Sequence, residues 1–224
     1  MGAIACGSND DKEATPPPDT ALAEDSTGEE IVDSGSSLEN IDTFSTTAFS
    51  SYAKKQSVSF DWSRFKMEHF WVDSNTLIQP YTPDKAFYEA YGRFIKYSPD
   101  STMFIDLDSY NVGIKKDSKG KLHGTEFGPD SEVSLVNLQT KQKIRLMFMG
   151  PGGSVEDGLW LDKDNLALIG VEDNGDSLGK VAAVWKINIP TKSYSLYTLK
   201  DSVTAKRLIG YWRRERLKGV VMNN

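Results

Sequence analysis

The sequence contains very little cysteine and histidine. Cys6 is the only cysteine among 224 residues, and His69 and His123 are the only histidines. One cysteine excludes a disulfide framework and a cysteine-based zinc cluster, and two histidines leave little for histidine-rich metal chemistry. No stretch approaches the ~18 consecutive apolar residues that a membrane-spanning helix needs. We therefore expect no metal and no other cofactor.

Short catalytic motifs are missing as well. The glycine-rich run at 150–154 lacks the Gly-Lys-Ser/Thr that a phosphate-binding loop requires, and no Gly-x-Ser-x-Gly motif indicates a serine hydrolase. The tryptophans are expected in the core more than on a sugar-binding platform, because their large rings mostly supply buried area. They are Trp62, Trp71, Trp160, Trp185 and Trp212. The sequence thus favours a non-enzymatic protein, with a hydrolase whose site carries no short motif as the alternative.

Acidic residues are concentrated near the N-terminus. The chain has 32 acidic and 26 basic side chains, a net charge of −6. Residues 1–45 hold eleven of the acids against one base, Lys12, so this segment carries −10 and the remainder +4. Such a segment buries too little apolar surface to offset its ordering entropy and is predicted to be disordered. The predicted organisation is an acidic tether over residues 1–49 and one β-rich globular domain over 50–224.

The residues around Cys6 resemble the processing site of a bacterial cell-envelope lipoprotein. Small and apolar residues occupy positions 1–5, and a polar, acidic stretch follows at 7–13. In that family the cysteine is lipidated and becomes the new N-terminus, and the acidic run is similar to the export signal of surface lipoproteins in Bacteroidota. The resemblance implies a lipid anchor on Cys6 and an outer-membrane location. It also implies that Met1 is an internal methionine of a longer precursor, since a basic and apolar signal segment precedes such sites.

Two other interpretations of these residues stay open. Gly2 with a small residue at position 6 resembles a eukaryotic N-myristoylation signal, in which Cys6 would take a palmitoyl group. The third interpretation is an unmodified terminus. The genomic sequence upstream of Met1 tests the lipoprotein interpretation, because only that interpretation requires an in-frame signal segment that ends at Cys6.

One helix can be predicted from its spacing. Thr82 and Pro83 are typical of an N-cap and a first helical residue, and the apolar residues that follow recur at helical spacing: Phe87, Tyr91, Phe94 and Ile95. The dipeptide Ser98-Pro99 is expected to end this helix. Residues 58–72 are rich in aromatics but fit neither the helical nor the strand period.

From residue 102 onward the pattern predicts antiparallel strands. Short β-branched and aromatic runs alternate with turn residues. The predicted strands lie near 102–108, 111–116, 132–138, 142–149, 165–171, 181–189 and 193–200. The predicted fold is mainly β, with one helix on its N-terminal side.

A weak internal repeat runs through these strands. Residues 133–141 and 184–192 both predict a strand whose Asn leads into a Thr-Lys turn, and an Asp-containing turn lies upstream of each. The arrangement is similar to consecutive β-propeller blades. A closed propeller needs at least ~4 blades, and the chain has room for two. We therefore expect two blade-like units, arranged as two sheets packed face to face or as one larger antiparallel sheet backed by the helix.

Two segments with alternating oxygen side chains were considered as calcium sites. Residues 106–111 and 162–165 each contain two Asp and an Asn, but neither continues into the full calcium loop with its distal Glu. Asp and Asn also form turns through their side chains. The prediction is a turn in both places.

A cluster of basic residues lies near the C-terminus. Within thirteen residues it contains Lys206, Arg207, Arg213, Arg214, Arg216 and Lys218, against one acid, Glu215. Asp201 or Ser202 is predicted to cap a helix there, with a final strand at 220–221 as the competing prediction. The functional interpretation is contact with anionic lipid headgroups, lipopolysaccharide phosphates or an acidic envelope partner; the alternative is an ordinary solvated face. Nucleic acid is not expected, since the whole chain is acidic.

These observations together predict a non-enzymatic cell-envelope lipoprotein. It would act as a binding or scaffold module near the outer membrane, either periplasmic or surface-exposed. The alternative is a periplasmic or secreted hydrolase.

Overall fold

Three β-sheets and four short α-helices make up the part of the chain that the computed structural model describes, residues 36–175 and 179–223. The α-helices are α1 (Ile41–Ser45), α2 (Ala48–Gln56), α3 (Lys85–Tyr91) and α4 (Ser202–Leu208). A 3-10 turn covers Trp62–Arg64, and a π-helical turn covers Trp212–Arg216. The strands are β1 (Lys66–Val72), β2 (Ile78–Pro80), β3 (Lys96–Tyr97), β4 (Met103–Asp106), β5 (Val112–Lys116), β6 (Leu122–Glu126), β7 (Ser131–Asn137), β8 (Gln142–Met149), β9 (Ser154–Trp160), β10 (Asn165–Asp173), β11 (Lys180–Asn188), β12 (Ser193–Leu199) and β13 (Val220–Asn223).

The strands form two five-stranded antiparallel sheets and one small sheet. The central sheet has the order β1-β12-β11-β10-β9, and the outer sheet has the order β2-β8-β7-β4-β3. The small sheet runs β13-β6-β5, and its β13–β6 pair is parallel. The predicted mainly β fold with antiparallel sheets is confirmed, and the described residues form no closed barrel or propeller.

The central and outer sheets share one strand order. Each contains two hairpins, β3–β4 with β7–β8 in the outer sheet and β9–β10 with β11–β12 in the central sheet, and each takes its fifth strand from residues 66–80. The repeated turns are also alike. The side-chain oxygens of Asn137 and Asn188 accept the backbone N–H three residues further on, and Lys141 and Lys192 adopt φ values of 55° and 53°. The internal repeat therefore corresponds to two equally ordered sheets.

The central sheet is buried on both faces. Ala167 and Ile169 of β10 point toward the helical layer of α1, α2 and α4, whereas Leu166 and Leu168 point toward the outer sheet. Alternate residues of a strand face opposite sides, so a strand covered on both sides carries an almost continuous apolar run. The central and outer sheets pack face to face, which is one of the two predicted arrangements.

The folded domain begins well before residue 50. Ser37 bridges to Lys66, and Phe44 and Phe49 are completely buried. The rings of both phenylalanines pack against Trp62, with centroids 5.1 and 6.1 Å away. The predicted boundary at 49/50 is therefore wrong, because α1 and α2 cover one face of the central sheet. Residues 1–35 of the tether predicted for 1–49, including Cys6, lie outside the described residues.

The predicted helix after Tyr81 is present, but it is shorter and begins later. Its N-cap is Asp84, whose carboxylate accepts the N–H of Phe87 at 2.7 Å, in place of Thr82. The helix ends at Tyr91, and the chain then reaches Lys96–Tyr97, which pairs with β4 as a short edge strand. Ser98-Pro99 lies in the turn after that strand and does not end the helix. No helix in the described part of the chain is long and apolar enough to cross a membrane.

Candidate functional site

The basic C-terminal segment folds as a helix, a π-helical turn and a strand. Asp201 caps α4 by accepting the N–H of Thr204 at 3.1 Å, as predicted. Helix α4 stops at Leu208, and Gly210 takes up a left-handed φ of 82° that turns the chain. The final strand β13 then pairs with β6. The predicted helix is present before Gly210, and the competing final strand is present after it. Each prediction is therefore correct for its own part of the segment.

The contacts of this segment divide the predicted basic cluster into two groups, and Arg214 reaches back across the turn at Gly210 to join the first of them. Lys206, Arg207 and Arg214 lie beside α2. Arg207 Nη1 donates to the carbonyl of Gln56 at 2.7 Å, and the Arg214 guanidinium donates to the Tyr52 hydroxyl. The other three cations, Arg213, Arg216 and Lys218, follow the turn toward the small sheet.

Three further cations, which are distant from the first group in sequence, lie near it in the fold. Lys54 and Lys55 occupy the last turn of α2 and are exposed. The Arg64 guanidinium donates to the carbonyl of Ser59, which places it beside the same loop. We name this surface the basic helical face; its members are Lys54, Lys55, Arg64, Lys206, Arg207 and Arg214.

Two acids, Asp61 and Asp201, lie beside Arg64, and each caps a helix. Asp61 accepts the N–H of Ser63, and this hydrogen bond holds the pKa of Asp61 below its usual value. The pKa of Asp201 is lowered in the same way, first by the N–H of Thr204. The basic helical face therefore has a clear excess of positive charge.

Two apolar side chains protrude on the basic helical face. Val58 is fully exposed and Val203 is 59% exposed. They lie in neighbouring segments, since the hydroxyl of Ser57 is 2.9 Å from that of Thr204. Exposed apolar side chains surrounded by cations are typical of surfaces that rest on membrane interfaces.

Arg216 lies in the opposite environment, and this corrects the sequence analysis. Its side chain is only 7% exposed and is 2.5 Å from the Asp108 carboxylate. Its Nε donates to the carbonyl of Glu156 at 3.1 Å. Burial disfavours the charged guanidinium, but the carboxylates of Asp108 and Asp157 outweigh it and raise the pKa of Arg216. Arg216 is therefore inaccessible to a lipid surface or a partner and anchors the segment to the body.

Glu156 completes this attachment. Its carboxylate is completely buried and accepts the N–H groups of Gly210 and Trp212, each at 3.1 Å, and the Ser154 hydroxyl at 2.8 Å. Burial raises the pKa of Glu156, in spite of these hydrogen bonds. The carboxylate thus holds the backbone at the start of the π-helical turn.

The remaining two cations lie at the edge of the small sheet. Arg213 forms an ion pair with Glu126 at the end of β6. The backbone carbonyl of Lys218 accepts a hydrogen bond from Arg93, and the Lys218 side chain is exposed. Contact of these side chains with an anionic surface remains a prediction.

A pocket of about 100 Å³ lies where Arg216 meets the body. Its lining includes the Asp108–Arg216 pair, Trp212 and Ser131. The Ser131 hydroxyl is buried without a hydrogen-bond partner among the described residues. The loop at 128–130 separates this pocket from a second, more aromatic slot lined by Tyr110 and Phe127.

A larger groove of about 670 Å³ lies at the β1–β12 edge and contains His69. Glu68 and Lys200 line it as an ion pair with a 2.6 Å separation. Burial raises the pKa of the neighbouring Glu172, and the Glu68 carboxylate adds to this effect. Arg64, Lys66 and Lys200 outnumber the one carboxylate of its lining, Glu68, so the groove carries an excess of positive charge. The other histidine, His123, is 3.1 Å from Asp117 in the β5–β6 hairpin.

The oxygen-rich segments serve as turns, in agreement with the sequence analysis. Asp106 accepts the N–H groups of Asp108 and Ser109, and Asp162 accepts those of Asp164 and Asn165. No group of three or more metal-ligating side chains is present among residues 36–175 and 179–223.

The tryptophans serve mainly as packing residues. Trp62 and Trp185 are buried, Trp71 stacks on Tyr194, and Trp160 donates to the carbonyl of Lys96.

The chain matches no family model, no curated protein and no solved structure.

Proposed function

We propose that this protein is a non-enzymatic, lipid-anchored binding module of the cell envelope, and that its body docks on anionic headgroups through the basic helical face. The observation that carries the proposal is the convergence of α2 and α4. These helices are far apart in sequence, yet Arg207 of α4 donates to the carbonyl of Gln56 at the end of α2, and the hydroxyls of Ser57 and Thr204 meet beside it. Lys54, Lys55, Val58, Val203 and Lys206 are exposed on these two segments.

The charges supply the attraction in this arrangement. A Lys or Arg near an anionic membrane surface contributes about 1 kcal/mol, and salt weakens this contribution. Several cations with few acids between them would therefore give measurable binding to phosphate-bearing headgroups. Val58 and Val203 would add a small apolar term on insertion at the interface.

The lipid anchor on Cys6 and the basic helical face would have different roles. The acyl chains would hold the protein at the outer membrane, whereas the basic helical face would orient the domain against it. The anionic glycolipids of that membrane, or an acidic envelope protein, are the partners that fit this charge.

The experiment uses the full chain with Cys6→Ser, so that no acyl chain contributes. Co-sedimentation is measured with vesicles of phosphatidylcholine alone and with 30% phosphatidylglycerol, at low and at physiological salt. We expect binding only to the anionic vesicles, and we expect salt to weaken it. The triple variant Lys54→Gln, Lys55→Gln, Lys206→Gln should lower the apparent affinity at least tenfold.

A matched control removes the same charge elsewhere. Lys115, Lys116 and Lys119 are exposed in the β5–β6 hairpin, and changing all three to Gln should reduce binding far less. Equal losses in the two triple variants would show that net charge alone is responsible. Equal binding to neutral and anionic vesicles would also contradict the proposal.

A second experiment tests the anchor. With its upstream signal segment and expressed in a Gram-negative host, the wild-type protein should partition into detergent and gain the mass of acyl chains. Cys6→Ala should stay soluble and unmodified. If both forms are soluble and unmodified, the lipoprotein part of the proposal is wrong, while the vesicle experiment stands independently.

A further inference from the structure

The loop between β6 and β7 forms an exposed aromatic slot with a single carboxylate. Its volume is about 320 Å³, and its walls are Tyr110, Phe127, Gly128, Pro129 and Asp130. Phe127 is 66% exposed and Tyr110 is 41% exposed. The two rings present exposed apolar surface beside the Asp130 carboxylate.

The two rings are held in place by the fold. The N–H of Phe127 donates to the carbonyl of Asn111 at 3.0 Å. The Phe127 ring lies over Gly113, where a Cβ atom would come within 2.3 Å of it. Tyr110 packs edge-on against Phe148, with ring centroids 5.9 Å apart. The rings therefore need little ordering when a ligand binds, which lowers the entropic cost of binding.

The charge of the slot comes from Asp130. Its neighbouring acids are neutralised: Glu126 pairs with Arg213, Asp108 with Arg216, and Glu132 with Arg145. The exposed Asp130 carboxylate forms no ion pair or hydrogen bond with any residue in the described ranges. The slot thus combines two aromatic faces with one uncompensated negative charge.

The same surface already uses one ring to hold a cation. The Arg145 guanidinium lies over Phe148 at 5.1 Å from the ring centroid. No cation of the described residues lies over Tyr110 or Phe127. Aromatic faces attract ammonium groups through their quadrupoles, and a neighbouring carboxylate adds to the attraction.

A neutral sugar fits the slot less well. Carbohydrate recognition needs several polar groups that are free to pair with hydroxyls. The amide of Asn111, the residue after Tyr110, already uses its oxygen to accept the N–H of Glu132 and one of its N–H groups to donate to the carbonyl of Leu107.

We infer that this slot binds a primary alkylammonium group, such as the end of a lysine side chain, between Tyr110 and Phe127 and against the Asp130 carboxylate. This site is independent of the basic helical face, and the two carry opposite charge. The ligand chemistry is the same whether the ammonium belongs to a lysine of a partner protein or to a free amine.

The test is a nuclear magnetic resonance titration of the full chain with three small probes. N-acetyl-lysine methylamide carries the ammonium on a peptide unit, cadaverine carries it without one, and Nε-acetylated N-acetyl-lysine methylamide is neutral. We expect saturable shifts of the Gly128 and Asp130 amides with the first two probes, and at least tenfold weaker binding of the neutral probe. Tighter binding of the lysine derivative than of cadaverine would assign the ammonium to a protein, and equal binding would assign recognition to the alkylammonium alone.

Two variants separate the slot from general electrostatics. Asp130→Asn should raise the dissociation constant at least fivefold without a change in melting temperature, because the carboxylate forms no ion pair or hydrogen bond within the described residues. Phe127→Ala should raise it similarly. Asp42→Asn removes an exposed acid from α1 and should change nothing. The inference is wrong if the neutral probe binds as well as the charged ones, or if Asp130→Asn behaves like Asp42→Asn.

Discussion

Arg207 and Arg216 belong to the same short C-terminal segment, but the fold gives them opposite roles. Arg207 is exposed, and its guanidinium donates to the carbonyl of Gln56. Arg216 is almost fully buried and pairs with Asp108. The left-handed turn at Gly210 separates them, so one faces the helical layer and the other enters the body. Basic residues that are neighbours in sequence therefore need not lie on one surface. Arg207 is available for binding and contributes little to folding, whereas Arg216 stabilises the fold and is not available.

The largest expected effect comes from removing the buried member of this comparison. Arg216→Ala leaves the Asp108 carboxylate buried without its cation. Breaking a buried ion pair in this way costs about 3–5 kcal/mol, so we expect this loss in the free energy of unfolding measured with urea. Arg207→Ala should cost about 1 kcal/mol, the value of a typical hydrogen bond. Equal losses in the two variants would contradict the distinction between anchoring and available arginines.

The second prediction concerns the carboxylate that holds the turn between the two arginines. Glu156→Gln keeps one acceptor oxygen and loses the other, so one N–H of Gly210 or Trp212 loses its partner. We expect a loss of about 1.5–3 kcal/mol, the usual range for hydrogen bonds to a charged group.

The pH dependence of that loss follows from the raised pKa of Glu156. The folded state binds this proton more tightly than the unfolded state, so the contribution of Glu156 to stability is fully present below its ordinary pKa of 4.5 and declines as the pH rises through the raised value. The difference between wild type and Glu156→Gln in urea unfolding should therefore be largest below pH 4.5 and smaller at neutral pH. A difference that grows with pH would show that the pKa is lowered instead.

A smaller effect is expected at the N-terminal end of α4, which carries the available cations. Asp201→Ala removes the acceptor for the N–H of Thr204 and for the hydroxyls of Thr204 and Ser59. Loss of such a cap costs about 1 kcal/mol. Asp201→Asn keeps an acceptor oxygen and should lose less stability in the same thermal melt. If the two variants are equally destabilised, the negative charge of Asp201 and not its hydrogen bond is what matters.

The smallest effect on folding is expected at Lys206. This side chain is exposed, and surface substitutions away from special features change stability by no more than about 0.5 kcal/mol. Lys206→Gln should leave the melting temperature nearly unchanged while it weakens binding to anionic vesicles. A clear loss of stability would place Lys206 with Arg216 among the anchoring cations.

The strands of the two repeated sheets could be predicted because their signals are local. The predicted strand at 142–149 matches β8, and the turns at Asn137 and Asn188 carry their own hydrogen-bonding side chains. Strand β9 was not predicted. It contains Glu156 and Asp157, both buried, and charged residues argue against a buried strand until their partners in distant segments are known. Helices α1 and α2 were missed as well, because their Ser- and Thr-rich sequence resembles the acidic tail that precedes them.

The candidate sites show the same division. The excess of positive charge after residue 205 is visible in the sequence, and so is the turn signal at Gly128-Pro129-Asp130. The addition of Lys54, Lys55 and Arg64 to the basic helical face was not visible, since it depends on the packing of α2 against α4. The pairing of Glu126 with Arg213, which leaves Asp130 as the uncompensated acid of the slot, also depends on contacts between distant segments.

The sequence by itself determined the β-rich character, the repeated Asn-turn hairpins and the helix cap at Asp201. Each of these depends on residues a few positions apart, whose geometry the backbone and the side chain settle locally. Only the tertiary structure decided which sheets stack, where the folded domain begins, and which arginine is buried. Those outcomes depend on which distant side chains meet, and a charge such as that of Arg216 can enter the interior only where the fold supplies carboxylates to receive it.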